Sequence, residues 1–180
     1  MTVERLFSPQ SIAVVGASQT EGKIGYEAMA NAVEFDGGVY PVNPSASGSV
    51  FGEQFVGSVT DIDDAVDLAL LCVPARVVPT VLEECGEAGV GGAVIYAGGF
   101  AETGPDGEQL QAELVDIAAE HDLSLLGPNT SGFVVPSTNL FASFAGGVER
   151  YEPGPVAIVA QSGGVAHALA FQALREGRGI

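Results

Sequence analysis

The residues best suited to chemistry form a glycine-rich segment that directly follows the first apolar run of the chain. The run Ile12–Val15 has the length of a buried strand, and a helical stretch begins near Tyr26. Between them lies the glycine loop, residues 16–25, which contains Gly16, Ala17, Ser18, Gln19, Gly22, Lys23 and Gly25. Glycines let the backbone approach an anion closely, and the free N–H groups at a helix start point toward it. The segment therefore predicts a loop that binds a phosphate or a dinucleotide.

The spacing within the glycine loop differs from the usual dinucleotide fingerprint. It reads Gly16-x-Ser18-x-x-x-Gly22-x-x-Gly25 instead of G-x-G-x-x-G, and a plain strand-to-helix turn without a ligand has a similar composition. Lys23 favours the ligand, because it is the only lysine of the chain and stands inside the loop. Its ammonium group could pair with a phosphate there.

The composition excludes several classes of protein. The 180 residues carry 6 basic and 23 acidic side chains, a net charge of −17, which argues against nucleic acid as a partner. Hydrophobic residues make up 47% of the chain, enough for a packed core. No apolar run approaches the roughly 18 residues of a membrane span. Residues 1–5 lack the pattern of a signal peptide, so we expect a cytoplasmic protein with no membrane partner.

Extreme acidity with almost no lysine is typical of a protein adapted to high salt, that is, a halophilic protein. At 1 M salt the Debye length is only about 3 Å, so the self-repulsion of the carboxylates is screened. An ordinary acidic protein is the alternative interpretation. Cys72 and Cys85 stand in a strand-like and a helix-like stretch, and we predict two buried thiols in place of a disulfide.

Strand-like and helix-like stretches alternate from the first apolar run to about residue 130. Strands are predicted at Ile12–Val15, Val39–Val42, Leu68–Val73, Ala93–Tyr96 and Leu123–Leu126. Helices are predicted at Tyr26–Phe35, Thr80–Ala88 and Glu108–His121, with a helical turn at Asp61–Ala65. The stretches Gly52–Val59 and Val134–Arg150 are predicted to be irregular. The alternation predicts an α/β fold with a doubly wound parallel sheet.

A linker-like stretch, Tyr151–Pro155, divides the chain into residues 1–150 and 151–180. After it, Val156–Ala160 is predicted to be a strand and Val165–Glu176 a helix, with Ser162, Gly163 and Gly164 between them. A lone strand–helix unit cannot bury its sheet face. We therefore expect that the sequence is a fragment that ends inside a second domain; docking of the unit on the first domain is the alternative.

Ligands of an open parallel sheet bind outside the carboxyl ends of its strands. The segments at those ends are small, polar or proline-bearing: Gly16–Ser18, Pro41–Pro44, Val73–Ala75, Ala97–Gly99 and Gly127–Asn129. None contains a nucleophile paired with a base, so we expect a groove for an extended ligand and no catalytic residue. The acidic cluster around Asp63 lacks a calcium-loop pattern, and no metal site is predicted. A nicotinamide cofactor is disfavoured, because Asn43 stands where an NAD enzyme has an acidic residue.

Four segments in register resemble the CoA-binding domain of the NDP-forming acyl-CoA synthetases. This family includes ADP-forming acetate–CoA ligase and the alpha subunit of succinyl-CoA synthetase. The segments are Val15–Ser18 with Lys23 and Gly25, Tyr40–Pro44, Val73–Ala75 and Leu126–Asn129. The resemblance covers nearly the whole chain and is closer to the acetate type. It implies a Rossmann-like CoA-binding domain over residues 1–150 and the first βα unit of a flavodoxin-like domain over residues 151–180.

The resemblance also implies where CoA or acyl-CoA would bind. The phosphates would lie near Ser18, Gln19 and Lys23, and the adenine or the pantetheine would lie beside the Val73–Ala75 segment. The implied CoA-binding residues are Gly16, Ala17, Ser18, Gln19, Lys23, Gly25, Pro41, Asn43, Val73, Pro74, Ala75, Ala97, Gly98 and Asn129. Where the succinyl enzyme has a lysine for the nucleotide end of CoA, this chain has Asn43, and we expect Lys23 to compensate.

The family interconverts acyl-CoA, ADP and phosphate with a carboxylic acid, CoA and ATP, through an acyl phosphate and a phosphohistidine. The resemblance implies that this histidine lies outside the chain, with Ser162, Gly163 and Gly164 cradling its phosphoryl group. ADP or ATP with magnesium would bind to a separate ATP-grasp part of an oligomeric ligase. We predict that His121 faces solvent, that His167 is a packed or partly exposed helix residue, and that Glu102 is a solvated loop carboxylate.

Other functions remain open at this point. A stand-alone CoA-binding regulatory module, or the CoA-binding part of a fused acetyltransferase, would contain the same segments. An NAD(P)-dependent oxidoreductase would need an acid or an arginine after the second strand and a downstream catalytic domain. Under the main interpretation, the isolated chain binds CoA and has no activity of its own.

Overall fold

The computed structural model describes residues 4–180. Residues 1–3, on which the prediction of a missing signal peptide partly rests, lie outside the described residues. The helices are α1 (Glu4–Phe7), α2 (Ile24–Ala32), α3 (Val78–Glu87), α4 (Pro105–Glu120) and α5 (Gly163–Arg175). The strands are β1 (Ser11–Val15), β2 (Gly38–Val42), β3 (Ser49–Val50), β4 (Glu53–Gln54), β5 (Leu68–Leu71), β6 (Gly92–Ile95), β7 (Ser124–Leu126), β8 (Gly132–Val135) and β9 (Leu140–Ser143).

Five of these strands form one parallel sheet in the order β2-β1-β5-β6-β7. Val14 of β1 lies between Pro41 of β2 and Leu70 of β5, and Leu70 in turn pairs with Val94 of β6. All residues of β1, β5 and β6 are buried, as expected for strands covered on both faces. The predicted doubly wound α/β sheet is confirmed, with strand boundaries that differ from the prediction by a few residues at most.

The two faces of the sheet support separate cores because neighbouring residues of a strand point to opposite sides. Leu71 belongs to the core under α3 and α4, which includes Leu82 and Phe100. Leu70 belongs to the core under α2 and the β8–β9 hairpin, which includes Met29. The carboxyl ends of the five parallel strands lie at the same edge of the sheet, which we call the rim.

Two hairpins appear where the sequence predicted irregular chain. β3 and β4 pair through Val50 and Glu53, and β8 pairs with β9 from Gly132 to Leu140. The β8–β9 hairpin corrects the prediction for 134–150, and β4 corrects part of that for 52–59. Strands of two to four residues are too short to show a period of two, which is why the pattern missed them. The helical turn predicted at 61–65 is also displaced: a single 3-10 turn occupies Val59–Asp61.

The strand predicted at Val156–Ala160 is not formed. A strand needs a neighbour along its whole length, and the described residues supply one only at its beginning. There, the N–H of Gly154 donates to the carbonyl of Ile180 at 3.1 Å, and the N–H of Ile180 donates to the carbonyl of Glu152 at 2.7 Å. These two bonds have the pattern of a parallel pair but lie before the predicted strand, of which, among residues 4–180, only Val156 is bonded, its N–H donating to the carbonyl of Gly179 at 3.3 Å.

Helix α5 packs on the preceding part of the chain through a third apolar cluster. Tyr151 and Ala170 are buried there with Phe141 and Val148, and Phe171 packs edge-on against Tyr151 at 5.1 Å between ring centroids. The opposite side of α5 remains open, since Val165 and Leu169 are more than half exposed. Among residues 4–180, no helix combines the length and the apolar character needed to cross a lipid bilayer.

Candidate functional site

The glycine loop lies at the carboxyl end of β1 and is closed by backbone contacts. Gly16 has a φ of +85°, and its N–H donates to the carbonyl of Val42 at 2.8 Å. A β-carbon at Gly25 would collide with the carbonyl oxygen of Gly16. Helix α2 can therefore begin directly against the loop only because position 25 has no side chain. This contact brings the positive end of α2 to the rim of the sheet.

Three consecutive N–H groups of the glycine loop have no partner among the described residues, but only Ser18 and Gln19 are reached by solvent, whereas Ala17 is fully buried. No acceptor among residues 4–180 receives the N–H groups of Ala17, Ser18 or Gln19. The next N–H, that of Thr20, donates to Ser18 Oγ at 3.0 Å, which turns the chain back on itself. Successive free N–H groups in such a turn form a concavity that suits an anion. The prediction that the glycine loop binds a phosphate therefore remains a prediction, for which the loop has unpaired N–H groups.

Lys23 lies at the mouth of this concavity, in the cap position of α2. Its side chain is exposed, and it pairs with no carboxylate in the described part of the chain. The nearby N–H of Gly22 is already occupied, because it donates to Glu27 Oε1 at 3.0 Å. The cation is therefore available to a ligand at the loop, whereas the N–H of Gly22 becomes available only if Glu27 moves.

Asn43 and Gln19 connect the glycine loop to the segment that follows β2. Asn43 Nδ2 donates to the carbonyl of Ala17 at 2.8 Å, and Asn43 Oδ1 accepts from the N–H of Ser45 at 2.9 Å. Gln19 Nε2 donates to the carbonyl of Ser49 at 2.9 Å. Both ends of the Asn43 amide are thus used within the protein, and Pro41 is buried inside β2. Through these hydrogen bonds, Asn43 and Gln19 hold the backbone of the glycine loop in place.

The ends of β5 and β6 approach each other in the middle of the rim. Pro74 caps the 3-10 turn Ala75–Val77, and Val73 lies against Gly16. A β-carbon at Gly99 would lie 3.3 Å from the β-carbon of Ala75, so the two segments are in contact. The segments predicted from the sequence therefore form one continuous surface from β1 through β5 to β6.

Glu102 fixes the segment after β6, where the sequence predicted only a solvated carboxylate. Its two carboxylate oxygens accept the N–H groups of Gly99 at 2.6 Å and of Phe100 at 3.2 Å. The hydrogen bond from Gly99 is the main cause that holds the pKa of Glu102 below its ordinary value. Although Glu102 is exposed, it is a bonded residue that sets the shape of the rim, and the prediction needs this correction.

Gly98 and Asn129 form a narrow passage at the β6–β7 end of the rim. The N–H of Asn129 donates to the carbonyl of Ala97 at 2.9 Å. A β-carbon at Gly98 would lie 3.2 Å from Asn129 Oδ1 and 3.1 Å from Glu102 Oε1. A side chain at position 98 would therefore crowd both polar groups, and a glycine keeps the gap between them open.

The second glycine-containing loop lies immediately beyond this passage. Ser162 caps helix α5, with its Oγ accepting from the N–H of Val165 at 3.4 Å. A β-carbon at Gly163 would collide with Ser131 Oγ, which follows Asn129 by two residues. The fold thus brings the predicted phosphate loop, Ser162–Gly164, against the end of the predicted CoA groove. No sequence spacing could have shown this contact.

The two histidines lie outside the rim. His121 Nε2 lies 2.8 Å from Glu83 Oε2 and the ring packs against Gly86, so the prediction that it faces solvent is wrong. His167 Nδ1 is hydrogen bonded to the Tyr151 hydroxyl at 2.9 Å, which confirms a packed helix residue. Burial lowers the pKa of His167. Its Nε2 is buried and has no hydrogen-bond partner within residues 4–180.

The cysteines are two free thiols, as predicted. Burial raises the pKa of Cys85 to about 12 and raises that of Cys72 further. Thiolates are the nucleophilic form, so neither cysteine is reactive at neutral pH. Tyr96, at the end of β6, is also buried, and burial raises its pKa. The rim therefore provides backbone N–H groups, small side chains and two exposed cations, Lys23 in the glycine loop and Arg76 in the turn after β5, which suit the binding of an anionic ligand.

Comparison with known proteins agrees with this geometry. Residues 10–136 match the family model described as CoA binding domain. The chain is 44% identical over 162 residues, 89% of its length, to Acetate--CoA ligase [ADP-forming] of Methanocaldococcus jannaschii, of which it covers 22%. It is 42% identical over 94% of its length to subunit alpha of Acetate--CoA ligase [ADP-forming] I of Pyrococcus furiosus, of which it covers 37%.

The chain also resembles a solved structure over nearly its whole length. The chain superposes over 99% of its length with a TM-score of 0.84 and 37% identity on the dinucleotide-forming acetyl-coenzyme A synthetase 1 of Ca. Korarchaeum cryptofilum, in complex with phosphate and ADP. It covers 38% of that chain. The sequence therefore spans between about a fifth and two fifths of the length of these relatives.

Proposed function

Because the chain belongs to the CoA binding domain family, we propose that it is the CoA-binding part of an ADP-forming acid–CoA ligase. The whole ligase interconverts acyl-CoA, ADP and phosphate with a carboxylic acid, CoA and ATP. The chain supplies the CoA site and the loop that cradles a phosphoryl group. The phosphohistidine, the ADP or ATP site and its magnesium belong to other parts of the oligomeric enzyme, including an ATP-grasp part.

The proposal places the CoA pyrophosphate in the concavity of Ala17, Ser18 and Gln19. The free N–H groups there, the positive end of α2 and the ammonium group of Lys23 would all favour its negative charge. The glycines at 16 and 25 and the side chain of Asn43 act by holding this backbone in place. An NAD enzyme is disfavoured, because Asn43 supplies no carboxylate for a ribose and its amide is already engaged.

From the pyrophosphate, the pantetheine arm would follow the rim toward β7. It would pass Val73, Pro74 and Ala75 and then enter the passage between Gly98 and Asn129. The route ends where Gly163 touches Ser131. The CoA thiol would then arrive beside the phosphate loop, where an acyl phosphate forms and breaks. This contact between the groove and the second loop is the observation that carries the ligase assignment.

The second loop has the features needed to hold a phosphoryl group. Ser162, Gly163 and Gly164 lie at the first turn of α5, a helix of 13 residues. The positive end of the helix and its free N–H groups stabilise an anion there. We propose that residues 151–180 begin a second domain, whose remaining elements cover the exposed side chains of Val159 and Leu169.

Titration calorimetry with the isolated chain tests the proposal. We expect CoA to bind, dephospho-CoA to bind more weakly, and NAD to give no heat above dilution. The chain alone should show no ligase activity, because the histidine and the ATP-grasp part are supplied elsewhere. Binding of NAD without binding of CoA would overturn the assignment. An isolated chain that binds CoA but whose full-length protein has no ATP-grasp part would support a regulatory module instead.

Lys23→Glu should weaken CoA binding by about tenfold, because the change replaces a cation beside the pyrophosphate with an anion. Folding should be little affected, since Lys23 is exposed and makes no contact that the core depends on. The measurement is calorimetry with CoA, with urea unfolding as the check on stability. Arg178→Glu changes the charge equally at an exposed site outside the rim and serves as the control. Equal affinities for Lys23→Glu and the wild type would make Lys23 an ordinary surface residue.

We also propose that the protein works in the cytoplasm of an organism that keeps a high internal salt concentration. A net charge of −17 on 180 residues is destabilising in dilute buffer. We expect 2 M KCl to raise the melting temperature by roughly 4–8 °C, the shift that about 2 kcal/mol gives in a domain of this size. Differential scanning calorimetry measures it. The same series at pH 3, where the carboxylates are largely protonated, is the control, and a falling melting temperature at pH 7 contradicts adaptation to salt.

A further inference from the structure

A pair of aromatic rings, one half-buried and one exposed, lies next to the glycine loop, and none of the roles discussed so far uses it. Tyr26 is in the first turn of α2, and Phe51 is at the tip of the β3–β4 hairpin. Their ring centroids are 5.0 Å apart, with an angle of 51° between the ring planes. Phe51 is 45% exposed despite this contact, so one side of the pair faces solvent.

The hairpin holds this pair at a fixed position relative to the free N–H groups of the loop. Gln19 Nε2 donates to the carbonyls of Ser47 and Ser49, at 3.4 and 2.9 Å. The N–H of Phe55 donates to the carbonyl of Gly48 at 3.0 Å, and Val56 forms a bridge with Val42 of β2. The hairpin is thus attached both to the glycine loop and to the outer strand of the sheet.

The backbone geometry of the turn that contains Phe51 favours another residue type at position 51. Phe51 and Gly52 have φ values of +51° and +94°, and they are the two residues between the paired Val50 and Glu53. Two-residue hairpin turns with positive φ at both positions favour Asn-Gly or Asp-Gly. A phenylalanine at the first position is a conformational outlier. Neither burial nor turn geometry therefore accounts for an aromatic residue at position 51.

The order of the strands shows which end of an extended ligand would reach this pair. The hairpin follows β2, at one edge of the five-stranded sheet, whereas Asn129 follows β7, at the other edge. Gly163 contacts Ser131 at the β7 edge, where the proposed route of the pantetheine arm ends. A ligand whose thiol lies at β7 and whose pyrophosphate lies at Ala17–Gln19 must extend its other end toward β2. That end of CoA is the adenosine.

We propose that Tyr26 and Phe51 form the adenine subsite, with the base stacked on the exposed side of the pair. The inference rests on the proposed CoA binding and assigns Val73, Pro74 and Ala75, in the middle of the rim, to the pantetheine. Aromatic rings bind the faces of bases by stacking, which requires little further recognition. The subsite accordingly favours ligands that carry an adenine over the same pantetheine chain without one.

The test compares three ligands on the isolated chain by calorimetry: CoA, adenosine 3′,5′-bisphosphate and 4′-phosphopantetheine. Phe51→Asn removes the ring and installs the residue that the turn prefers. We expect about tenfold weaker binding of CoA and of the bisphosphate, the loss typical of one stacked base, and unchanged binding of 4′-phosphopantetheine. The melting temperature of the variant should equal or exceed that of the wild type.

Two variants complete the design. Phe51→Leu keeps an apolar side chain without an aromatic face and should weaken CoA binding in the same way. Phe7→Leu changes another exposed phenylalanine, 41% exposed and packed on Phe133, and should leave CoA affinity unchanged.

The outcomes separate this inference from the function on which it rests. Unchanged affinity of folded Phe51→Asn for CoA overturns the subsite and leaves the CoA assignment intact. An equal loss for CoA and 4′-phosphopantetheine also overturns it, because the variant would then disturb the loop as a whole. A wild-type chain that binds neither CoA nor the bisphosphate overturns the proposed function itself.

Discussion

Gly25→Ala should reduce CoA binding by at least about a hundredfold and lower the free energy of unfolding by about 2 kcal/mol. The added β-carbon would overlap the carbonyl oxygen of Gly16 and lie 3.2 Å from the α-carbon of Ala17. The loop cannot yield, because Gly16 is itself bonded to Val42 and a β-carbon there would lie 2.7 Å from the carbonyl oxygen of Cys72. Relief must therefore come from a shift of α2, which destroys the concavity.

Calorimetry with CoA and urea unfolding measure the two effects. Gly146→Ala is the matched control, because nothing lies within 4 Å of a β-carbon at that position and its backbone is not in the left-handed region. The control should bind CoA and unfold as the wild type does. A Gly25→Ala variant that keeps wild-type affinity would mean that the N–H groups of the loop do not hold the ligand.

Phe100→Ala should lower the free energy of unfolding by about 3–5 kcal/mol, the range for a buried phenylalanine. Its side chain is fully buried in the core under α3 and α4. Its backbone belongs to the rim, since its N–H donates to Glu102 and its carbonyl accepts the hydroxyl of Thr103 at 2.8 Å. Losing the ring therefore also loosens the passage beside Gly98.

Urea unfolding gives the stability change, and hydrogen exchange at the N–H of Gly99 reports the passage. That N–H is protected by Glu102 in the native structure and should exchange faster in the variant. Val115→Ala on α4 is the control, because Val115 is 59% exposed and should change stability by less than about 0.5 kcal/mol. A loss below about 1 kcal/mol in Phe100→Ala would show that this part of the core does not support the rim.

The sequence was most informative where one physical constraint dominates. The strands of the parallel sheet are buried on both faces, so Leu68–Leu71 is a continuous apolar run that one can recognise without a structure. The glycine loop was equally recognisable, because a close approach of Gly25 to Gly16 tolerates no other residue. Both features depend on local chemistry or on complete burial.

Features that depend on distant partners could not be predicted. His121 was expected to face solvent because nothing nearby in the sequence indicates Glu83, 38 residues away. The β8–β9 hairpin is recognisable only once Asn31 of α2 is seen to donate to the carbonyl of Ser143 at 2.7 Å. The strand predicted at Val156–Ala160 shows the converse. Its sequence is apolar, but it does not form, because the described residues offer a hydrogen-bond partner only to Val156, at the start of the segment.

The candidate site likewise contains features that the sequence predicts and features that depend on distant partners. The residue types at the strand ends were predicted, yet their roles differ among themselves. Ser18 contributes an unpaired N–H group, whereas the side chain of Asn43 is used to hold the loop in place. The proximity of Gly163 to Ser131 arises from the docking of α5 through Tyr151 and Ala170, which no spacing encodes. The aromatic pair at Tyr26 and Phe51 was missed, because Phe51 directly precedes the stretch predicted to be irregular and was assigned to no element.

The most direct test is a crystal structure of the chain soaked with coenzyme A. Our account predicts density for the pyrophosphate within hydrogen-bond distance of the N–H groups of Ser18 and Gln19, with Lys23 beside it. The thiol should point toward Ser131 and Gly163. An unoccupied glycine loop at saturating ligand, or a CoA molecule bound at the opposite edge of the sheet, would contradict the account.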